Sequence, residues 1–279
     1  MFKTDDYGVL YVVATPIGNL SDLSIRVIDT LKNVDLIAAE DTRVTKKILF
    51  HIESKVKSIS CHKFNERSIC DKLINHLLSG KSIALVSDAG TPCVSDPGFI
   101  LVNLAHQNNI KVVSIPGPSS VIAACSLSGF DCKNFIFKGF LPKKENEILS
   151  LIDSLSEMSV PVVFFDSPNR ILKSLTVFKK FLDPDVNISL SKEISKKFEK
   201  TLTGKLAEII KKLSLIETVK GEWVGVIEKI VLKTIKEKEG ERTLEDVSNY
   251  FNVNRNKAAK ILAIATGKSK KDIYSGGSK

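Results

Sequence analysis

The sequence predicts an α/β protein in two lobes, the first on a mostly parallel sheet and the second on a mixed one, with a small helical appendage at the C-terminus. Short Val- and Ile-rich runs, VLYVVA (9–14), VDLIAA (34–39), VKSIS (56–60), SIALVS (82–87) and KVVSI (111–115), alternate with helix-length amphipathic stretches. Strands that are apolar along their whole length are buried on both faces, as parallel strands under crossover helices are. After SIPGPSS (114–120) the pattern shifts. NFIFKGFL (134–141), PVVFFD (161–166), VNISLSK (186–192) and EWVGVIEKIVL (222–232) are further strands, with helices near 144–157 and 168–181, and more antiparallel pairing is expected there.

In the segment 21–32, Ser21 can cap a helix whose Leu23, Val27, Ile28 and Leu31 make one apolar face. Pro116, Gly117 and Pro118 interrupt the chain, and Ser119 or Ser120 can cap the next helix. These breaks divide the chain into an N-terminal lobe (1–116), a C-terminal lobe (117–232), a charged linker KTIKEKEGER (233–242) and a helix-turn-helix-like tail (243–279) opened by Thr243 with Asp246 three residues on. No period of 20–50 residues recurs, which argues against a solenoid.

The 279 residues, 43% hydrophobic and 26% charged, suffice for a sizeable core. Five cysteines with no C-x-x-C pair point to reduced thiols in a cytoplasm, with no disulfide and no zinc or other metal expected. The N-terminal segment is acidic where a signal peptide is basic, and its apolar run is too short for a membrane span, so no membrane partner is expected. A net charge of +9 suits a polyanion such as nucleic acid, although a lysine-rich composition alone produces the same balance.

No G-x-G-x-x-G follows a strand, and neither a P-loop, an H-E-x-x-H helix nor a G-x-S-x-G elbow is present. What remains is a set of turns at strand C-termini, where α/β sheets collect ligands: TPIGN (15–19), AEDTR (39–43), SDAGTP (87–92) and PGPSS (116–120). Their prolines fix φ and their glycines admit close backbone approach. Each alone is an ordinary connection; four on one edge can converge on one crevice and hold a polar small molecule.

The stretches YVVATPIGNLSDLSIRVIDTLKNVDLIAAEDTR, ALVSDAGTPCVSDPG, SIPGPSS, FFDSPNRI and KGEWVGVIE together resemble the tetrapyrrole methylase superfamily, and specifically its ribosomal branch, over roughly residues 8–230; the tail resembles that branch more weakly. The resemblance implies a tetrapyrrole methylase-like two-lobed fold that binds S-adenosylmethionine between its lobes and forms a homodimer. It also implies 2'-O-methylation of a cytidine ribose, cytidine-1402, in 16S rRNA of the small ribosomal subunit. Members with tetrapyrrole substrates carry G-x-G-P-G-D after the first strand; this chain has TPIGN, which fits the ribosomal branch. A small-molecule methylase and a non-catalytic RNA-binding factor are the rival readings.

On that resemblance Pro16, Gly18, Asp88, Ala89, Gly90, Thr91, Ser119 and Ser120 of the first lobe, and Phe165, Trp223, Val224 and Gly225 of the second, are expected at the methyl donor. Such a donor brings its own electrophile, so the protein needs positioning groups and no covalent nucleophile. Asp88 can take the donor's amino group or bond within its loop; the two serines can cap a helix or touch the donor; Phe165 and Trp223 can meet adenine or simply fill the core. Glu40, Arg43, Lys192 and Glu193 are the catalytic candidates, since a ribose hydroxyl needs a base or a cation at the developing alkoxide. Arg43 can instead neutralise Asp41, His62 is a base or a structural histidine, and Asp96 before Pro97 reads as a helix cap. Basic residues in SKEISKKFEKTLTGK, NRNKAAK and KSKK are candidates for rRNA phosphates on the second lobe and tail.

Overall fold

A computed structural model describes residues 7–216, 220–233, 244–251, 253–266 and 268–275. The chain divides into two compact units, Met1–Ala123 with Glu193–Glu199, and Ala124–Lys192 with Lys200–Lys279. The proposed linker, apart from Lys233, and the capping Thr243 lie outside the described residues.

In the first unit the strands β1 (Val9–Val13), β2 (Leu36–Ala39), β3 (Ser58–Ser60), β4 (Ile83–Val86) and β5 (Lys111–Ile115) form a parallel sheet in the order β3-β2-β4-β1-β5. Between them run α1 (Ile25–Asn33), α2 (Thr42–His51), α3 (Glu66–Leu78) and α4 (Phe99–Gln107), and α5 (Ser120–Ser128) follows β5. The period of two along each strand distributes side chains to two separate cores. Leu10, Ala38, Ile83 and Leu85 pack with Cys70, Leu73 and Leu77 of α3 and Leu101 of α4, whereas Val13, Ile37, Ala39, Ala84 and Val86 pack with Val27 and Leu31 of α1 and Ile48 of α2. Continuous apolar runs are the sequence's image of that double burial.

Two expected caps are displaced. Ser21 lies in a separate 3-10 turn, Leu20–Asp22, capped by Asn19; α1 is capped by Ser24, whose side chain accepts from the Val27 N–H. The 3-10 turn ends at an extended Leu23, so a second cap is needed before the α-helix begins. Asp96 does not cap α4. The Gly98 and Ile100 N–H groups donate instead to Oε1 of the buried Glu66, at 2.9 and 3.0 Å. Gly98 stands at φ +123°, and a Cβ there would lie 2.6 Å from Leu85, so only glycine fits this entry to α4.

The second unit holds β6 (Ile136–Phe140), β7 (Val162–Asp166), β8 (Asn187–Lys192), β9 (Lys200–Lys205) and β10 (Trp223–Ile227) in the order β6-β7-β10-β8-β9, with β6 and β7 parallel and the other pairs antiparallel. Its helices are α6 (Glu145–Leu155), α7 (Ile171–Phe181), α8 (Leu206–Ser214), α9 (Leu244–Phe251), α10 (Arg255–Thr266) and α11 (Lys270–Ser275). β9 occupies a stretch read above only for its charge, and α8 follows it in residues for which the sequence reading named no element. On β8, Ile188 and Leu190 enter the core, while Ser189 and Ser191 meet the hydroxyls of Thr203 and Thr201 on β9 at 2.9 and 2.8 Å. Val247 of α9, Ala258 and Leu262 of α10, and Ile273 of α11 share that core with α7, and Phe181 stacks on Phe251.

The FFDSPNRI motif builds a polar knot here. Asp166, its side chain 0% exposed, accepts from Ser174 Oγ at 2.5 Å and from the Ser167 N–H at 2.8 Å, and pairs with Arg170 at 3.1 Å. Arg170 also donates to the carbonyls of Leu141 and Pro142, tying the end of β7, α7 and the chain after β6 together. Replacing Asp166 by Ala leaves a partly buried guanidinium without its counter-charge and is expected to cost about 3 kcal/mol. Urea unfolding of wild type and variant is the check, and an unchanged midpoint would contradict this role.

Candidate active site

Parallel pairing delivers the carboxyl ends of β1, β2, β4 and β5 to one rim of the first sheet. The four turns that leave it are bonded to one another. Thr15 after β1 and Gly90 after β4 exchange two backbone hydrogen bonds, Thr15 N–H to Gly90 O at 2.9 Å and Gly90 N–H to Thr15 O at 3.0 Å. The buried Thr15 Oγ1 donates to the Ser87 carbonyl at 3.1 Å, and Ser87 Oγ to the Gly90 carbonyl at 3.3 Å. After β2 the Asp41 N–H donates to Asp88 Oδ1 at 2.9 Å, and the Asp88 N–H donates back to Glu40 Oε2 at 3.2 Å. Thr91 Oγ1 reaches the Pro118 carbonyl at 3.3 Å, and a Cβ on Gly117 would touch Ala14 at 3.0 Å, so the turn after β5 lies pressed on the turn after β1.

Gly90 adopts φ +85°, which L residues avoid; its freedom is what lets the SDAGTP turn pair with Thr15. Ala89 lies beside it in the same turn, and Pro16 follows Thr15. Gly18 serves a different contact: a Cβ there would fall 2.3 Å from Cγ of Lys196, whose stem lies across it. Ser119 Oγ accepts from the Ile122 N–H at 3.5 Å, the position of a helix cap, and Ser120 is the first residue of α5.

The rim concentrates negative charge. Burial raises the Glu40 carboxyl above its ordinary range, against a lowering bond from the Asp88 N–H, and the charges of Asp96, Asp88 and Asp41 push it further up. Burial likewise raises Asp88 and Asp96. Asp41 behaves oppositely: the Arg43 side chain donates to it at 2.6 to 3.1 Å and holds it down at about 2. Arg43 itself is 86% exposed and turned back on Asp41, the neutralising alternative of the two expected for it. His62 Nδ1 accepts from the Phe64 and Asn65 N–H groups, both at 3.2 Å, which puts the neutral ring's proton on Nε2 and removes the lone pair a base needs.

Of the remaining expected site residues, Glu193 belongs to the first unit and pairs with Lys196 at 3.0 Å. Lys192 and the four residues of the lobe two set belong to the second unit. Lys192 ends β8 with Nζ 5.8 Å from the Trp223 ring. There the structure displays packing: Trp223 is 3% exposed in the core, Val224 pairs with Phe165 across β7, Phe165 meets Phe137 and Phe140 edge to face, and a Cβ on Gly225 would strike Phe164 at 2.2 Å. Thr15, Ser87 and Asp96 complete the rim and were not singled out from sequence as site residues; Thr15 and Ser87 stand at the edges of the quoted turns, and only their pairing reveals them. Among the described residues no group of three or more His, Cys, Asp or Glu is arranged to hold a metal ion, and no helix is long and apolar enough to cross a membrane.

An open parallel sheet followed by a mixed sheet is the fold of known methylases. The chain belongs to the family of Tetrapyrrole (Corrin/Porphyrin) Methylases, whose model matches residues 9–210. It is similar in structure to uroporphyrin-III C-methyltransferase from Thermus thermophilus, also solved with S-adenyl homocysteine (TM-score 0.54, 16% identity, 78% of this chain and 96% of that one), and to a diphthine synthase (TM-score 0.60, 15%, 81% and 91%). Within the family it belongs with the ribosomal RNA small subunit methyltransferases I: it is 37% identical to that of Halalkalibacterium halodurans over 277 residues (98% of this chain, 95% of the relative) and 44% identical to that of Vibrio cholerae over 202 residues (72% and 70%).

A raised carboxyl means the folded chain binds that proton more tightly than the unfolded chain, so ionisation penalises the fold. The penalty is absent below the unfolded-state pKa and complete above the folded one. Glu40→Gln keeps an acceptor for the Asp88 N–H and removes the charge; it is therefore expected to raise Tm at pH 7, the gain shrinking as pH falls through the carboxylate range. Thermal unfolding from pH 4 to 8 checks this, and a loss of stability at neutral pH would refute it.

Proposed function

We propose that the chain transfers the methyl group of S-adenosylmethionine to the 2'-hydroxyl of a cytidine ribose in 16S rRNA of the small ribosomal subunit, in the cytoplasm and as a homodimer. The observation that carries the reading is the acidic, knit rim made by Glu40, Asp88 and Asp96. The donor carries a sulfonium and an ammonium against one carboxylate, a net positive charge, and a partly buried set of carboxylates attracts its cationic groups more strongly than exposed ones do. Its demethylated product has lost the sulfonium charge, so the same field favours donor over product. The names of the ribosomal relatives support rRNA as acceptor, and the net charge of +9 agrees with a polyanionic partner.

In this reading Asp88 receives the donor's ammonium, and the backbone of Ala89, Gly90 and Thr91, fixed by the Thr15 pairing, walls the site. Bound there, the donor supplies an electrophilic methyl, and the chain's task is to bring a ribose oxygen into line with it. Glu40 is the group assigned to take the 2'-hydroxyl proton as the oxygen–methyl bond forms and the sulfur–methyl bond breaks. Its raised pKa, caused first by burial, makes it a better base than an ordinary carboxylate.

Asp88→Asn removes the charge and is expected to weaken donor binding by roughly 10- to 100-fold, as loss of a charged hydrogen bond does. Wild-type affinity should also fall as pH drops through the raised carboxyls, because their protonation discharges the site. Calorimetry with the donor tests both. Label from the donor should appear at a ribose of small subunits that lack the methyl group; transfer to a base, or none, would refute the acceptor.

A further inference from the structure

Four phenylalanines of the first unit, Phe50, Phe64, Phe99 and Phe198, lie largely outside its cores, the first and third on α2 and α4 and the other two in loops. Phe64, in the turn after β3, is 93% exposed, and Phe198, in the segment Glu193–Glu199, is 70% exposed. Neither is exposed because its loop is loose. The turn carrying Phe64 is pinned by the His62 N–H donating to Asn65 Oδ1 at 2.7 Å, by Asn65 Nδ2 donating to the Ser60 carbonyl at 3.0 Å, and by the two bonds to His62 Nδ1. The segment carrying Phe198 is pinned by Ser195, whose hydroxyl donates to Asp22 and whose N–H donates to Glu199 Oε2 at 2.6 Å, and by the Lys196 stem lying over Gly18. Glu193 and Ser195 are held at φ +53° and +70° to make this loop, a conformation that costs free energy in non-glycine residues.

Phe64 and Phe198 both have cations close to them in sequence. Lys63 and Arg67 are exposed on either side of Phe64, and Lys197 Nζ lies 5.7 Å from the Phe198 ring. The strand order β3-β2-β4-β1-β5 places them at two stations on one rim: Phe64 follows β3, and the Phe198 loop seats on the turn after β1. Between them come β2 and β4, which carry Glu40 and Asp88. Three strand steps span about 14 Å. That acidic centre repels phosphate, so an RNA strand crossing it needs its attraction supplied from the flanks.

We infer that Phe64 and Phe198 are stacking platforms for unpaired bases of the acceptor RNA, one on each side of the target ribose, with Lys63, Arg67 and Lys197 taking the neighbouring phosphates. The inference rests on the function proposed above and adds its substrate class: single-stranded RNA, whose bases are free to leave their neighbours and lie on an aromatic face. A duplex offers no such bases. The lysines alone would attract any polyanion; the exposed rings are what select an unstacked one.

The test compares wild type, Phe64→Leu, Phe198→Leu, the double Leu variant and the double Tyr variant. Both side chains are exposed, so folding is not at stake, and donor calorimetry verifies each preparation. A short fluorescein-labelled single-stranded RNA is the binding probe, and methyl transfer to unmethylated small subunits is the second readout. Each Leu change is expected to weaken RNA binding roughly tenfold, with donor affinity unchanged and with KM for RNA raised in the same ratio; the Tyr pair restores both. Binding by the double Leu variant within twofold of wild type, or an effect confined to one phenylalanine, overturns the inference. So does normal RNA binding with loss of transfer only on assembled particles, which would assign the rings to a protein partner. If wild type transfers methyl to RNA while the Leu variants behave like it, this inference falls and the proposed function stands; if wild type binds the donor but transfers nothing to RNA, the proposed function falls first.

Discussion

The two backbone hydrogen bonds between Thr15 and Gly90 are the contact on which the rim depends. They join turns that follow different strands, and they require Gly90 to stand at a φ other residues avoid. Once made, they fix Ser87 and Asp88 at the end of β4, and through Asp88 they fix Asp41 and Glu40 after β2. The polar groups of these turns are satisfied largely by one another. Such a network is stiff, because moving any one turn strands donors and acceptors in its neighbours.

Stiffness explains how several carboxylates can stay close together against their mutual repulsion. Glu40, Asp88 and Asp96 are each raised first by burial and then by a neighbouring aspartate, an arrangement that stability alone would not select. Asp41 is spared chiefly by its hydrogen bonds from Arg43, whose charge also draws Asp88 down a little. The chain as a whole is positive, yet its candidate site is negative. A methyl donor with a net positive charge and a phosphate-rich acceptor make opposite demands, and in the proposed function the two are met by charges separated in space.

Much of the fold was legible because its causes are local. Val9 to Val13 and Ile83 to Val86 announce doubly buried strands, since each residue of the pair of faces must be apolar. The turns announce themselves through Pro and Gly. The family followed from long motifs in order. The strand β9 was missed because KTLTGK, at the edge of its sheet, pairs by Ser–Thr hydroxyl contacts and has no apolar run to reveal it. Asp96 before Pro97 has the local form of a cap, but the groups that needed capping found Glu66 first, a carboxylate 32 residues upstream of Gly98.

The sequence by itself determined the two-sheet architecture, the positions of the turns and the family, because apolar periodicity, φ restriction and motif order are properties of neighbouring residues. The tertiary structure alone decided which of those turns touch. Asp41 and Asp88 are 47 positions apart, and they meet only because β2 and β4 are adjacent in the sheet. The order of parallel strands is set by packing across the whole sheet, and no stretch of sequence contains it; that order is what turns scattered carboxylates into a site.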